Sequence, residues 1–318
     1  MLAGILSAPG TLSLAQVAQP EPAPGQVLVR LEGSGVCASS LPVWEGRPWF
    51  RYPLAAGAPG HEGWGTVAGL GDGVTGWHEG ERVAALSFCA HAEYDVADAG
   101  ALVRLPACLD GAALPGEPLG CAMNIFRRSG IEAGQTVAIV GIGFLGALLT
   151  RLAAQAGARV IAISRRPFAL EIARAAGAAE LVMLGDHAEV IARVKHLTEG
   201  RWCERTIEAV GLQGPLDLAG EITGERGRLV IAGYHQDGPR QVAMQLWNWR
   251  GLDVINAHER DPARYVEGMR AAVEMMAQGT LDVAPLLTRY EGLDRLGEAL
   301  EMTRRRPDGF LKAVVTTR

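Results

Sequence analysis

From residue 135 onward, short apolar segments alternate with amphipathic helical patterns, and this alternation restricts the fold more than any other feature. "QTVAIVG" (135–141) reads as a buried strand, "FLGALLTRLAAQAG" (144–157) as a helix and "ARVIAIS" (158–164) as the next strand. Four more strand candidates follow: "AELVML" (179–184), "RTIEAVG" (205–211), "GRLVIAG" (227–233) and "LDVINAH" (252–258). Such alternation builds βαβ units and a parallel sheet. The sequence therefore predicts an α/β chain with one doubly wound domain of six parallel strands.

The first 115 residues have a different texture, rich in Gly and Pro with short alternating segments between turn signals. They predict an irregular β-barrel or sandwich. Strand-like sequence returns in "FLKAVVTT" (310–317), as though the sheet domain were inserted into the first one. We therefore predict a catalytic domain over 1–120, completed by 280–318, and a dinucleotide-binding domain over 121–279.

Composition limits the class of partner. The 318 residues carry a formal net charge of −5, and the longest basic run is Arg304–Arg306, which argues against nucleic acid. Apolar runs are shorter than a bilayer span requires, and the N-terminus is interpreted as a first strand and not as a signal peptide. An odd number of scattered cysteines, five, does not fit a disulfide framework. The expectation is a reduced, cytoplasmic protein that acts on a small molecule, with neither a membrane nor a nucleic acid as partner.

A glycine loop closes the first strand of the sheet domain. Gly141, Gly143 and Gly146 have the G-x-G-x-x-G spacing, and they lie between an apolar strand and a helix, which is the context that the motif needs. Gly141 allows the turn, Gly143 lets the backbone approach a pyrophosphate, and Gly146 lets the helix pack against the strand. The motif predicts a dinucleotide site; the alternative is a strand–helix turn without a ligand.

The second strand ends at Ser164, followed by Arg165 and Arg166. An acidic residue at this place would bond the adenosine ribose of NAD. A hydroxyl followed by two arginines suits a 2′-phosphate instead, because Arg pairs bidentately with phosphate oxygens. NADP is therefore favoured over NAD, while the competing interpretation is two solvated arginines at a helix start.

Metal-capable side chains cluster along the first domain. His61 and Glu62 lie in the glycine-rich "GAPGHEGWG" (57–65), Cys37 precedes them, and "GEPLGC" (116–121) adds an acid and a thiol. A catalytic zinc takes three protein ligands of Cys, His or carboxylate type and keeps one position open. Cys37, His61 and one residue from 117–121 supply that set. Each of these residues alone would more often be structural.

These segments resemble the zinc-dependent alcohol and polyol (sorbitol-type) dehydrogenases of the medium-chain dehydrogenase/reductase superfamily. "GVCASS" is similar to that family's "G-[VI]-C-x-[ST]-D", "GHEGWGTV" to "G-H-E-x-x-G-x-V", and "GIGFLG" to its coenzyme loop, which adds Phe144 and Leu145 to the site. The resemblance extends over essentially the whole chain. It implies a GroES-like β-barrel catalytic domain formed from both chain ends, a Rossmann domain between them, and a homodimer or homotetramer.

The resemblance also implies individual roles. Cys37 and His61 would be zinc ligands, and Glu117 the third, because polyol dehydrogenases of the family have "E-P-L" where residues 117–119 stand here; Cys121 is the alternative. Glu62 would be a ligand or its exchange partner, and Ser39 the hydroxyl that begins a proton relay. Two departures stand out: Ser40 replaces the usual Asp beside the ligand histidine, and the four-cysteine structural zinc lobe is missing. One catalytic zinc and no structural zinc are expected.

The predicted activity is hydride transfer between NAD(P) and a secondary alcohol or polyol, or the corresponding ketone or aldehyde, with zinc as Lewis acid. Two alternatives remain open. A zinc-independent NADPH-dependent enone or quinone reductase of the same superfamily would not need Cys37, His61 and Glu117. A non-catalytic dinucleotide-binding protein would have no use for a ligand set at all.

Overall fold

The computed structural model describes residues 1–317, which fall into two units. The strands are β1 Leu2–Ala8, β2 Thr11–Gln16, β3 Gln26–Val36, β4 Gly63–Leu70, β5 Arg82–Ala85, β6 Tyr94–Asp98, β7 Leu102–Arg104, β8 Thr136–Val140, β9 Arg159–Ser164, β10 Glu180–Met183, β11 Cys203–Glu208, β12 Thr223–Ile231, β13 Asp253–Asn256, β14 Leu287–Tyr290 and β15 Lys312–Thr316. The helices are α1 Leu41–Trp44, α2 Gly116–Ser129, α3 Phe144–Gln155, α4 Pro167–Ala175, α5 His187–Leu197, α6 Gln213–Ile222, α7 Met244–Arg250, α8 Pro262–Ala277 and α9 Leu296–Arg305. Single 3₁₀ turns occur at Ala38–Ser40, Ala99–Ala101, Ala107–Leu109, Ala284–Leu286 and Leu293–Arg295.

The first unit, residues 1–120 and 261–318, is built around a mostly antiparallel sheet. Its strand order is β14-β15-β3-β4-β5-β7, with β6 also paired to β3 and a separate β1–β2 hairpin. The C-terminal strand β15 lies directly beside β3, so the two ends of the chain share one sheet. Residues from both ends, among them Val36, Leu296 and Val315, also form one buried apolar cluster. Both ends of the chain thus contribute to this unit.

Helix α8 belongs to this first unit, although the sequence prediction began the returning segment at residue 280. The helix lies against α2 so closely that a Cβ on Gly268 would lie 2.6 Å from the carbonyl oxygen of Gly120. The amphipathic pattern of α8 is the same as that of a sheet-covering helix, so periodicity does not reveal which unit it packs against. The structure therefore starts the returning segment at Asp261.

The second unit, residues 121–260, is a parallel sheet of six strands in the order β10-β9-β8-β11-β12-β13. All of its neighbouring strands pair in parallel. The central strands are buried on both faces; Val137 to Val140 have no exposed surface. That explains why they read as continuous apolar runs and not as alternating ones. The predicted doubly wound domain is confirmed, with its switch point between β8 and β11, where strand order reverses.

Among the helices of residues 1–317, we find none with the length and apolar character needed to span a bilayer.

Candidate active site

The metal-capable residues converge at one end of two paired strands. Cys37 follows β3, and His61 and Glu62 precede β4; the two strands are antiparallel, with Ser34 opposite Gly63. Because one strand ends where the other begins, the three side chains meet. The Cys37 Sγ, a His61 ring nitrogen and a Glu62 carboxylate oxygen lie within 4.8 Å of one another.

The glycines around His61 have a packing reason. A Cβ on Gly57 would lie 2.0 Å from the carbonyl oxygen of Cys89, and one on Gly60 would lie 2.5 Å from the backbone nitrogen of His91. Any larger residue at either position would push two backbone segments apart. The close crossing of 57–60 with 89–91 is what holds His61 and Glu62 at the start of β4.

The orientation of the His61 ring is set by the backbone. Its Nδ1 lies 3.0 Å from the carbonyl oxygen of Pro59. A ring nitrogen that donates to a carbonyl fixes the orientation of the ring and leaves Nε2 as the atom that could bind a metal. The family resemblance places this partner at position 40, where Ser40 replaces the usual Asp. In the structure the Pro59 carbonyl accepts the hydrogen bond, so an Asp is not needed to orient this ring nitrogen.

Negative charge surrounds the imidazole. Burial alone lowers the pKa of His61, but a hydrogen bond to Cys37 and the neighbouring anionic groups outweigh it and raise the pKa to about 10. Glu62 and Glu117 are among those groups, so Glu117, in the first turn of α2, lies near the ring. Of the described residues, the group within 4.8 Å includes neither Glu117 nor Cys121. A soft thiolate, an imidazole and carboxylates form a donor set that suits zinc.

Glu62 is fully buried and pairs with Lys312 of β15, a residue that sequence reasoning missed. The Lys312 Nζ lies 2.6 Å from Oε1 and 2.5 Å from Oε2 of the carboxylate, and it also donates to the carbonyl of Val36 at 3.3 Å. Burial alone lowers the pKa of Lys312, but the charge of Glu62 outweighs it and raises the pKa above its usual value. The available signal was a single charge inside the apolar strand "FLKAVVTT".

Ser39 lies beside the thiol. Its hydroxyl donates to Cys37 Sγ at 3.1 Å, and its backbone nitrogen lies 3.5 Å from the same atom. The half-buried hydroxyl thus lies beside the group formed by Cys37, His61 and Glu62. The role of Ser39 in a proton relay remains a prediction.

A buried histidine behind the group gives the first testable prediction. His91 Nδ1 lies 2.8 Å from the hydroxyl of Ser34, and burial, together with the charges of His61 and Lys312, lowers the pKa of His91 to about 3 from 6.5. The unfolded chain therefore binds more protons between pH 6.5 and 3. We expect the free energy of unfolding to fall as the pH drops through that window, by up to about 1.4 kcal/mol per pH unit from this group.

Denaturant unfolding at several pH values between 3.5 and 7 checks this expectation. His91→Gln, which removes the titrating group, should show a shallower acid slope, whatever its stability at neutral pH. Identical slopes in the two proteins would contradict the assignment of this acid sensitivity to His91.

The glycine loop of the second unit has the predicted geometry. Gly141 has a φ of 102°, and a Cβ on Gly146 would lie 2.0 Å from the carbonyl oxygen of Gly141, which confirms the close helix–strand packing. Gly143 is the N-cap of α3, and a Cβ there would meet no atom within 4 Å. Phe144 is buried as the first residue of α3, and Leu145 is half-buried. The loop presents a helix N-terminus beside open space, as an anion site requires.

At the end of β9, Ser164 is buried and Arg165 is exposed. The Ser164 hydroxyl accepts a hydrogen bond of 3.3 Å from the backbone nitrogen of Arg166. The Arg166 guanidinium lies 3.4 Å from the carbonyl of Ile142, inside the glycine loop. The Arg166 side chain therefore lies next to the loop that would hold a pyrophosphate.

The open space at Gly143 gives the second prediction. Gly143→Ala should leave the free energy of unfolding within about 0.5 kcal/mol of wild type, because the methyl meets nothing. Dinucleotide affinity should fall by about 10- to 100-fold, because the same methyl occupies the approach of the pyrophosphate. Titration with NADPH and thermal unfolding measure the two effects.

Gly146→Ala is the matched control, since its methyl collides with the Gly141 carbonyl and should lower stability and affinity together. A Gly143→Ala protein that binds NADPH as tightly as wild type would contradict the placement of the pyrophosphate.

Two protein-family models match this chain. The family model of the alcohol dehydrogenase GroES-like domain matches residues 23–126, and that of the zinc-binding dehydrogenases matches residues 145–284. A sorbitol dehydrogenase from Gallus gallus is 28% identical over 345 aligned residues, covering 96% of this chain and 93% of the relative.

Solved structures are similar over the full length. The 2R,3R-butanediol dehydrogenase of Bacillus subtilis has a TM-score of 0.86 at 23% identity, with 100% of this chain and 99% of that chain covered. A mycobacterial quinone oxidoreductase has a TM-score of 0.82 at 22% identity, with 99% of each chain covered. At these identities the two likenesses establish the fold, which dehydrogenases and quinone reductases share.

The chain belongs to the medium-chain dehydrogenase/reductase superfamily. Within it, the protein is an NAD(P)-dependent oxidoreductase of the alcohol and polyol dehydrogenase type.

Proposed function

We propose that the protein is a zinc-dependent oxidoreductase that transfers a hydride between NADP and a secondary alcohol or polyol, or the corresponding ketone or aldehyde. The observation that carries this proposal is the group of Cys37, His61 and Glu62 within 4.8 Å, with Glu117 close enough to act on the His61 ring. A zinc-free enone or quinone reductase has no need of such a donor set, and neither does a protein that only binds a dinucleotide.

Cys37 and His61 would hold one catalytic zinc, together with one carboxylate. Glu62 already accepts from Lys312, which offsets most of its charge in the buried site. Glu117 carries its charge near His61 at the N-terminus of α2. We therefore favour Glu117 as third ligand, with Glu62 as the alternative carboxylate and Cys121 as the alternative thiol.

Bound in this group, zinc supplies a Lewis acid for a carbonyl or alkoxide oxygen, while the nicotinamide supplies or accepts the hydride. Ser39 holds a proton on Oγ beside Cys37 and is the residue that would pass the hydroxyl proton of the substrate toward solvent. Lys312 holds the Glu62 carboxylate in place. The Pro59 carbonyl accepts from Nδ1 of His61, so Nε2 is the nitrogen that would bind the metal.

We assign the preference for NADP over NAD to Ser164, Arg165 and Arg166. This assignment leads to the third prediction. Arg165→Ala should raise the Kd for NADPH by about 10- to 100-fold, the worth of one charge-assisted hydrogen bond, and leave the Kd for NADH unchanged. Fluorescence titration with both dinucleotides measures the change.

Arg174→Ala, an exposed arginine that pairs with Glu171 on α4, is the control and should alter neither affinity. If Arg165→Ala weakens the binding of NADH as much as that of NADPH, Arg165 does not recognise the 2′-phosphate.

We also propose a homodimer. Strand β13 is the edge of the six-stranded sheet with Val254 exposed, and Trp249 of the preceding α7 is 89% exposed. An unpaired edge beside exposed apolar side chains suits pairing with a second copy.

A substrate panel tests the proposed reaction. Alcohols, polyols and their carbonyl products, assayed with NADP and NAD, should include turned-over substrates whose rates fall on zinc removal and return on zinc addition. Turnover confined to enones or quinones, and indifferent to zinc, would support the zinc-free reductase instead.

A further inference from the structure

A buried polar network lies at the carboxyl end of the second unit's sheet. Glu208, the last residue of β11, has no exposed surface. Its Oε1 accepts from the backbone nitrogens of Val210 at 2.7 Å and Gly211 at 2.8 Å. Its Oε2 lies 2.9 Å from Nε2 of His235, in the segment that follows β12. A fully buried carboxylate with three donors holds two chain segments in one fixed geometry.

His235 is bonded at both ring nitrogens. Nδ1 lies 2.9 Å from Nε of Arg240, which can only donate, so this nitrogen accepts and Nε2 carries the proton that is donated to Glu208. Arg240 also donates to the carbonyl of Gly211 at 3.2 Å and pairs with Asp237. The residues 233–240 are thereby tied back to the end of β11.

The same network reaches the glycine loop. Val210, whose backbone donates to Glu208, packs against Gly141 so closely that a Cβ on that glycine would lie 2.3 Å from Val210 Cγ2. Gly233 lies equally close to Gly211: a Cβ on Gly233 would lie only 2.1 Å from the backbone nitrogen of Gly211. The dinucleotide loop and segment 233–240 are therefore joined through Glu208 by direct contacts.

Sheet order assigns this segment to one half of the dinucleotide. Strands β8, β9 and β10 lie on one side of the switch point and carry Ser164 at the adenosine end. Strands β11, β12 and β13 form the other half. A doubly wound domain binds one mononucleotide on each half, so the β11–β12 edge serves the nicotinamide nucleotide.

We propose that Glu208, His235 and Arg240 position the segment 233–240 to bind the nicotinamide half of the coenzyme, which makes His235 a positioning residue for that half. The assignment rests on the proposed function in that it requires a nicotinamide dinucleotide as ligand. Among the side-chain hydrogen bonds described for residues 1–317, those of Glu208, His235 and Arg240 go to backbone groups and side chains between residues 208 and 240. The adenosine half should therefore be bound independently of them.

Split ligands test the assignment. NADPH carries both halves, whereas 2′-phospho-ADP-ribose lacks the nicotinamide. His235→Ala should weaken NADPH binding by about tenfold, from the lost hydrogen bonds to charged partners, and change the affinity for 2′-phospho-ADP-ribose by less than about twofold. His235→Gln keeps a donor at the position of Nε2 and should recover most of the NADPH affinity. Calorimetric titration of the full-length wild type and of both variants with each ligand measures these affinities.

His196→Ala, an exposed histidine on α5 in the same unit, is the control and should change neither affinity. If His235→Ala weakens the binding of both ligands equally, the assignment is overturned and the effect is a general loss of structure. Unchanged NADPH affinity would overturn the assignment as well. Wild-type protein that binds neither ligand would contradict the proposed function itself.

Discussion

Cys37→Ala is expected to lower the zinc content of the purified protein from about one ion per chain to below about 0.1, and to lower kcat/KM by about a thousandfold. The thiolate is the softest donor of the group and is held beside His61 at the end of β3. A bound Lewis acid supplies several kcal/mol of transition-state stabilisation, and about 4 kcal/mol corresponds to three powers of ten. Elemental analysis and steady-state kinetics measure the two losses.

Cys89→Ala is the matched control. Cys89 is a half-buried thiol of the same unit, but it does not belong to the group formed by Cys37, His61 and Glu62. It should keep its zinc and its activity. Glu117→Gln and Cys121→Ser identify the third ligand by the same measurement. A Cys37→Ala protein with full zinc content would show that the metal lies elsewhere.

Lys312→Met is expected to lower the free energy of unfolding by about 3–5 kcal/mol, because it leaves the Glu62 carboxylate buried without its cation. Both side chains of the pair are buried, so solvent cannot compensate for the lost charge. Denaturant unfolding of the metal-free protein measures the change.

Lys195→Met, an exposed lysine on α5, controls for removal of a lysine and should change stability by less than about 0.5 kcal/mol. The double variant Glu62→Gln with Lys312→Met should recover much of the loss, since no charge is then buried alone. A loss of less than about 1 kcal/mol in Lys312→Met would contradict the account of this pair.

Local signals were enough to predict much of this molecule. Runs of apolar residues predict the six parallel strands. The spacing of Gly141, Gly143 and Gly146 between a strand and a helix predicts the glycine loop. Cys37 and His61 are 24 positions apart in the sequence, and only the family resemblance predicted that they lie close together.

What escaped prediction depends on partners distant in sequence. Lys312 meets Glu62 only because β15 lies beside β3, and no local pattern specifies that pairing. Glu208 lies in a predicted strand and His235 lies outside the predicted strands, and no local pattern indicates that the two side chains lie within 2.9 Å of each other. Helix α8 has the pattern of any amphipathic helix, so its place in the first unit depends on close packing at Gly120 and Gly268.

The most direct test of the central claim is the metal content of the wild-type protein, purified without added zinc or chelator and measured by elemental analysis against protein concentration. The site of Cys37, His61 and a carboxylate predicts about one zinc per chain. Metal-free protein that reduces a carbonyl or an enone at full rate, and gains nothing from added zinc, would contradict it.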